Sequence, residues 1–443
     1  MKDKKRYTKI ALAVVLGLIT YLADFGLPAE AHAVLVIAVV AMILWLTEAI
    51  PLHVTSIIIA FLLAVFAKIP SGNVFAPFFD PVIALLLGGF VLAVALQKHG
   101  LDEKIAYAFV NKIGSTPKKF MLGIMLITAF FSMWITNTAT TATILPIAIA
   151  VLVASKIKKG SNYSKALILG VAYAATIGGI STIIGSTPNA IVVSFLAKAN
   201  IVIDFASWMY YALPFVFVMI PISWFMLLQF FKPEINKLKV KDYDKGYNFH
   251  QKIVLLIFLV TVILWLTSKF HGVSSSVIAL VPIILLYLFK LLNTEDFSMV
   301  PWAALILFGG GLSLGSAIHS TGLDLIMANA LSNVLSGLPI FIIFICVAAF
   351  GIVLTAFLSN TAAAALMIPI MLPLSQSLGI DIKVLAILAA LGVSFDLILP
   401  IGTPPGTMAY STGYIQVWDM VKTGLVLSAI GLLVLTSFAY LYW

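Results

Sequence analysis

Residues 132–143 read SMWITNTATTAT and residues 355–365 read TAFLSNTAAAA. Each is a cluster of Ser, Thr and Asn set within an apolar stretch long enough to enter a bilayer. A helix that stops inside hydrocarbon leaves backbone N–H and C=O groups unpaired, and Asn, Ser and Thr are the side chains suited to capping such ends. The paired segments near 120–135 and 139–154, and near 339–357 and 361–377, are therefore expected to be re-entrant hairpins that return to their own side of a membrane. Half-helices beginning near Thr138 and Thr361 would offer N–H groups and a positive dipole end to an anion. Oxygens on the preceding turns would suit a hard cation such as Na⁺.

The rest of the chain fits a polytopic α-helical membrane transporter. Of 443 residues, 62% are hydrophobic and 10% are charged, and mean hydropathy is +1.14, whereas a soluble domain carries about 25% charged residues. At about 20 residues per crossing, spans are expected near 8–24, 33–50, 54–68, 81–98, 165–196, 208–231, 252–269, 273–290, 301–318, 383–414 and 420–441. That is about 11 transmembrane segments plus the two hairpins, an all-α fold. The basic N-terminus MKDKKRYTK is expected to stay in the cytoplasm, which places the C-terminus outside. No Ala-x-Ala-like site directly follows the first apolar run, so signal cleavage is not expected. This topology puts all but Lys68, Lys198, Lys269 and Lys383 of the 26 Lys and Arg residues on the cytoplasmic side. The net charge of +9 thus reads as a positive-inside signal rather than a nucleic-acid surface. Charge alone does not separate hairpins from full crossings, because a pair of crossings also restores the side.

An internal duplication runs through the chain. Trp45-Leu46-Thr47 recurs as Trp265-Leu266-Thr267, 220 residues later; Gly88-Gly89 and Gly100-Leu101-Asp102 recur 222 later as Gly310-Gly311 and Gly322-Leu323-Asp324. Thr136-Asn137-Thr138 with Pro146 recurs 223 later as Ser359-Asn360-Thr361 with Pro369, and Gly185-Ser186-Thr187-Pro188 recurs 217 later as Gly402-Thr403-Pro404-Pro405. Four matches in one order at nearly one offset indicate a repeat. Five crossings separate the two Trp-Leu-Thr landmarks, so the second copy would be inverted, as in secondary transporters. The expected domains are an N-terminal segment with an extra span (1–32), a first repeat (33–231), a cytoplasmic connector (232–252) and a second repeat (253–443).

Two further interruptions, TIGGISTIIGSTPN at 176–189 and PIGTPPGT at 400–407, are dense in helix breakers. Unwound backbone at membrane depth is tolerated where it lines protein or a cavity. No Lys or Arg lies near any of the four interruptions. A bound anion would then rely on dipoles, Asn, Thr and neighbouring cations, which makes anion and Na⁺ mutually dependent. Asp396 is expected to serve a helix end, with proton relay as its alternative. Glu48 has no assignable partner, and His53, His99, His271 and His319 read as interfacial residues near span ends. Cys346 stands alone, which excludes an intrachain disulfide and a thiolate cluster. Neither a GxxxxGK[ST] phosphate loop nor HExxH occurs, and no nucleophile has a paired base, so the chain is not expected to be an enzyme and needs no organic cofactor.

At these interruptions the sequence resembles the divalent-anion:sodium symporter family of di- and tricarboxylate or sulfate transporters, in its bacterial dicarboxylate branch. The resemblance covers roughly residues 33–441. It is carried by WITNTATTATILPIA at 134–148, FLSNTAAAALMIPI at 357–370 and the paired Gly-Ser-Thr-Pro-Asn and Gly-Thr-Pro-Pro segments. It implies that Asn137, Thr138, Ser359, Asn360, Thr361 and Pro404 bind substrate. It implies one sodium site from Ser132, Thr136, Asn137 and backbone at Gly185, and a second from Thr355, Leu358, Asn360 and backbone at Gly402. It further implies a homodimer in the bacterial plasma membrane, with an elevator-type transport domain (about 115–196 and 338–414) moving against a scaffold. Two departures stand out: Thr136 replaces the usual Ser of the first tip, and Gly406 stands where an Asn commonly follows the two prolines. The expected activity is Na⁺-coupled symport of C4 dicarboxylates. The alternatives are sodium-independent exchange, for example of 2-oxoglutarate or citrate, and a channel or non-transporting scaffold.

Overall fold

The computed structural model describes residues 2–239, 246–400 and 402–443. Lys241, Lys245 and Ile401, which figure in the sequence reading, lie outside the described residues. In hydrocarbon every backbone polar group must be satisfied within the segment, and the regular structure among the described residues is accordingly all helical. Helix α1 (Lys2–Leu22) comes first. A first series follows: α2 (Ala29–Thr47), α3 (Leu52–Val65), α4 (Ser71–Phe75), α5 (Pro81–Lys98), α6 (Leu101–Ile113), α7 (Pro117–Ser132), α8 (Asn137–Ala154), α9 (Asn162–Gly179), α10 (Thr187–Lys198) and α11 (Phe205–Phe230). The second series is α12 (Phe249–Leu266), α13 (Ser268–His271), α14 (Ser275–Ile278), α15 (Leu280–Leu288), α16 (Thr294–Phe297), α17 (Trp302–Ser320), α18 (Leu323–Leu335), α19 (Ile340–Phe357), α20 (Asn360–Leu378), α21 (Ile382–Ser394), α22 (Pro404–Ser411) and α23 (Val417–Leu441).

Among the described residues nine helical runs are long and apolar enough to cross a membrane. The chain is an all-α polytopic membrane protein. Some boundaries differ from the sequence reading for identifiable reasons. The basic N-terminus is already helical from Lys2, because Lys and Arg are good helix formers. The stretches near 165–196 and 383–414 are each two helices, broken at 180–186 in one and, among the described residues, at 395–400 and 402–403 in the other, and the second break begins several residues before Pro400.

The two series pack reciprocally. Helix α3 lies along α17 and, in exchange, α15 lies along α5; α10 meets α20 and α21 while α22 meets α8 and α9. Small residues permit these crossings. A Cβ on Gly310 would fall 2.2 Å from the Ser56 Cβ, and a Cβ on Gly88 would fall 2.2 Å from the Ala279 carbonyl oxygen. Ser56 Oγ donates to Leu307 O at 3.3 Å across the first of these seams.

Two ends of the molecule can be told apart by their contacts. At one end, the segment following α11 straps the base of the α7–α8 pair: Leu238 N donates to Ser115 O (2.8 Å) and Lys239 N to Ser155 Oγ (2.8 Å). Glu234 accepts from the N–H groups of Asn162 (2.7 Å) and Tyr163 (3.1 Å). The Lys98–Asp296 ion pair (2.6 Å) and the Lys165–Asp419 pair (3.1 Å) lie at this connector end. The far end of α11 is 26 residues away, or about 39 Å at 1.5 Å per residue. There Tyr210 stacks on Tyr442 with centroids 4.9 Å apart, and Tyr440 meets Phe341 at the base of the α19–α20 pair at 5.7 Å.

Candidate functional site

Each helix pair turns on a capped tip. Thr136 Oγ1 accepts from Ala139 N (3.2 Å) and opens α8 at Asn137; Ser359 Oγ accepts from Ala362 N (3.3 Å) and opens α20 at Asn360. Thr136 therefore does at its tip what Ser359 does at the other, since the cap needs only the hydroxyl. Behind each tip the same five-residue contact recurs. Ser132 Oγ lies 2.6 Å from the Asn137 side-chain amide, and Thr355 Oγ1 lies 2.6 Å from the Asn360 amide.

The unwound loop after α9 wraps the first tip. Asn137 presents its amide to Ser132 Oγ (2.6 Å), Ala175 O (3.1 Å) and Gly185 O (3.2 Å). With Nδ2 turned inward the amide donates to these oxygens; with Oδ1 turned inward the four oxygens converge, a donor-poor cluster that suits Na⁺. The residues present thus fit a cation. Asn189, fully buried, holds the loop open by donating from Nδ2 to Gly179 O (3.1 Å), Ile180 O (3.2 Å) and Thr182 O (2.7 Å). Thr182 Oγ1 donates in turn to Met133 O.

Tips and loops meet at one cavity of about 600 Å³, within the range of small-molecule sites. Thr136, Asn137, Thr138, Gly185, Ser359, Asn360, Thr361, Gly402 and Pro404 all line it. Ser132, Thr355 and Leu358 do not; they are buried just behind the tips. No Lys or Arg occurs among its described lining residues. The wall facing the tips includes Leu52, Phe90, Gln97, Met299, Pro301 and Leu307, residues on α3 and α5 and before or within the first turns of α17, so its mouth lies toward the connector end.

Sequence reasoning missed Thr187, whose Oγ1 lies 2.6 Å from Thr361 Oγ1, and the Ser186–Ser394 hydroxyl pair at 3.2 Å. These contacts join the loop of one series to the tip or loop of the other. Only the unmatched hydroxyl at 187 inside the Gly-Ser-Thr-Pro segment could have signalled them. Asp396 lies just past the end of α21, where its carboxylate meets the backbone N–H of Ile398 and has no other hydrogen-bond partner of good geometry among the described residues.

A model of the sodium:sulfate symporter transmembrane region matches residues 3–443. The chain belongs to the sodium:sulfate symporter family. Membership makes it a membrane transporter rather than an enzyme. Among family relatives, an "uncharacterized transporter" of Haemophilus influenzae is 33% identical over 435 residues, covering 94% of this chain and 93% of that one. The sodium-dependent dicarboxylate transporter SdcS of Staphylococcus saprophyticus is 31% identical, covering 89% and 83%. The SdcS of Staphylococcus aureus is 30% identical, covering 99% and 92%. The crystal structure of the Alcanivorax borkumensis YdaH transporter shares the fold at a TM-score of 0.62 and 13% identity, covering 84% of this chain and 87% of that one.

Proposed function

We propose that the protein carries C4 dicarboxylates such as succinate, malate or fumarate into a bacterial cell, driven by inward Na⁺. The observation that carries this reading is the convergence of two capped helix tips and two unwound loops on one cavity lined by neither Lys nor Arg. Two carboxylates entering such a cavity gain N–H groups at the starts of α8 and α20 and hydroxyls from Thr138 and Thr361. Their charge still needs compensation, and Na⁺ held between each tip and its loop supplies it. Ser132, Thr136, Asn137 and Gly185 would hold one ion; Thr355, Leu358, Asn360 and Gly402 would hold the other. Anion and cation each lower the other's desolvation cost, which is the coupling. The dicarboxylate transport named for the staphylococcal relatives supports the substrate class.

The bases of the two tip-bearing pairs at opposite ends of α11, together with the reciprocal packing, support two re-entrant hairpins in an inverted repeat. A moving unit built from about 115–196 and 338–414, working in a homodimer with eleven spans per chain, is the corresponding mechanism. With the N-terminus and connector cytoplasmic, the cavity mouth faces inward. The far side is then held shut where the moving unit meets its scaffold: Ser194 Oγ donates to Asp80 Oδ2 (2.7 Å) and Lys198 Nζ to Ser316 Oγ (2.7 Å). Ser194→Ala removes one of these bonds and leaves Asp80 free to keep capping α5 at Val82 N. A bond to a charged group is worth roughly 1.5 kcal/mol or more, about a tenfold population shift. A cysteine at Thr187, in a Cys346→Ala background, is therefore expected to label from the external side about tenfold faster when Ser194 is Ala.

Reconstituted vesicles test the activity. Succinate uptake into empty vesicles is expected only with an inward Na⁺ gradient. Uptake that needs internal dicarboxylate and ignores Na⁺ would instead establish exchange, a reading favoured by Gly406 where the first series has Asn189. Absence of saturable flux would leave a channel or scaffold.

A further inference from the structure

We propose that Asp396 is an anionic ligand of the cation site in the second series, standing at the chain position where the first series has the backbone of Gly179. The inference rests on the sodium reading above and goes beyond it by naming a charged ligand. Asp396 is 1% exposed; its carboxylate meets the backbone N–H of Ile398, and beyond that neither oxygen has a hydrogen-bond partner of good geometry among the described residues. A carboxylate buried in this way costs several kcal/mol unless a counter-charge reaches it, and no ion pair among the described residues supplies one.

The position of the carboxylate identifies that counter-charge. A Cβ on Gly402 would fall 1.8 Å from Asp396 Oδ2, so the carboxylate rests on the Gly402 backbone. Gly185 is the counterpart of Gly402 at an offset of 217, and a Cβ there would meet Gly179 O at 2.5 Å and Ser132 O at 2.8 Å. The same offset carries residue 179 onto residue 396. An oxygen therefore approaches the loop glycine from the same chain position in both series: main-chain and neutral in one, side-chain and negative in the other.

The surroundings change in the matching direction. Asn189, whose amide occupies Gly179 O, Ile180 O and Thr182 O, has Gly406 as its counterpart. The second loop thus loses its neutral donor. Thr403 Oγ1, next to Gly402, is buried without a hydrogen-bond partner among the described residues. The Ile398 N–H gives the carboxylate a local contact past the negative end of α21 but no counter-charge, and the next helix opens with Pro404 and Pro405, which carry no N–H. With its own fixed negative charge, this site holds Na⁺ before any dicarboxylate arrives, whereas the first site, built from neutral oxygens, gains most from the bound anion.

Thermal unfolding of the purified full chain, titrated with NaCl against choline chloride without dicarboxylate, tests the proposal independently of transport. Wild type is expected to be stabilised by Na⁺. Asp396→Asn is expected to raise the half-saturating Na⁺ concentration at least about tenfold, because ligand charge tunes cation affinity. An unchanged half-saturation in Asp396→Asn overturns the proposal while leaving the sodium reading intact. A wild type indifferent to Na⁺ overturns both. Should Asp396→Asn fail to yield folded protein, the double variant Asp396→Ala/Gly406→Asn rebuilds the neutral arrangement of the first loop. It is expected to fold with the same weakened Na⁺ response, and a wild-type half-saturation there rejects the proposal equally.

Discussion

Alanine at Asn137, or at Asn360, is expected to lower dicarboxylate uptake about 100-fold at equal amounts of inserted protein. Asn137 faces Ser132 Oγ, Ala175 O and Gly185 O, and Asn360 faces Thr355 Oγ1. On the proposed reading, truncation removes a ligand shared between substrate and cation, and it strands the groups behind it. Each stranded buried group costs about 1–3 kcal/mol, and about 2.7 kcal/mol corresponds to 100-fold. Initial rates of radiolabelled succinate uptake in proteoliposomes measure the effect. Wild-type rates in the Asn137→Ala/Asn360→Ala double variant would remove both tips from the site.

The second large effect concerns stability. Gly310→Val and Gly88→Val are each expected to destabilise the protein by about 3 kcal/mol, seen as a lower melting temperature and loss of monodisperse protein in detergent. The new Cβ would lie 2.2 Å from Ser56 Cβ in one case and 2.2 Å from the Ala279 carbonyl in the other. Backbone does not yield as a flexible side chain does, so whole helices must shift. Gly72→Ala, whose Cβ would meet nothing within 4 Å, is the matched control. Melting curves for all three that superimpose on wild type would contradict the close crossing of α5 and α17 with their neighbours.

The cavity-lining tips were legible because a polar cluster in an apolar run has few physical excuses. Thr136, Asn137, Ser359 and Asn360 announce capped helix ends, and the caps are where the sequence puts them. The rest of the cavity was not legible in this way. Leu52, Phe90, Met299 and Pro301 look like any other span-end residues, and only packing of α3, α5 and α17 around the tips turns them into a wall. Gln97 carried a weak polar signal near a span end and could have been noticed. The hydroxyl pairs Thr187–Thr361 and Ser186–Ser394 join residues 174 and 208 positions apart, a relation that no local pattern encodes. Asp396 was visible as a residue, but its burial without a counter-charge among the described residues depends on the fold.

A cavity lined by neither Lys nor Arg has a physiological corollary. A lysine would grip a dianion in any medium, so cargo delivered to the cytoplasm would be slow to leave. Here, on the sodium reading, the grip is lent by the ions and is withdrawn where they are scarce. Unloading is then governed by the low sodium content of the cell interior, and a cell that loses its sodium gradient would find the same carrier draining its stores.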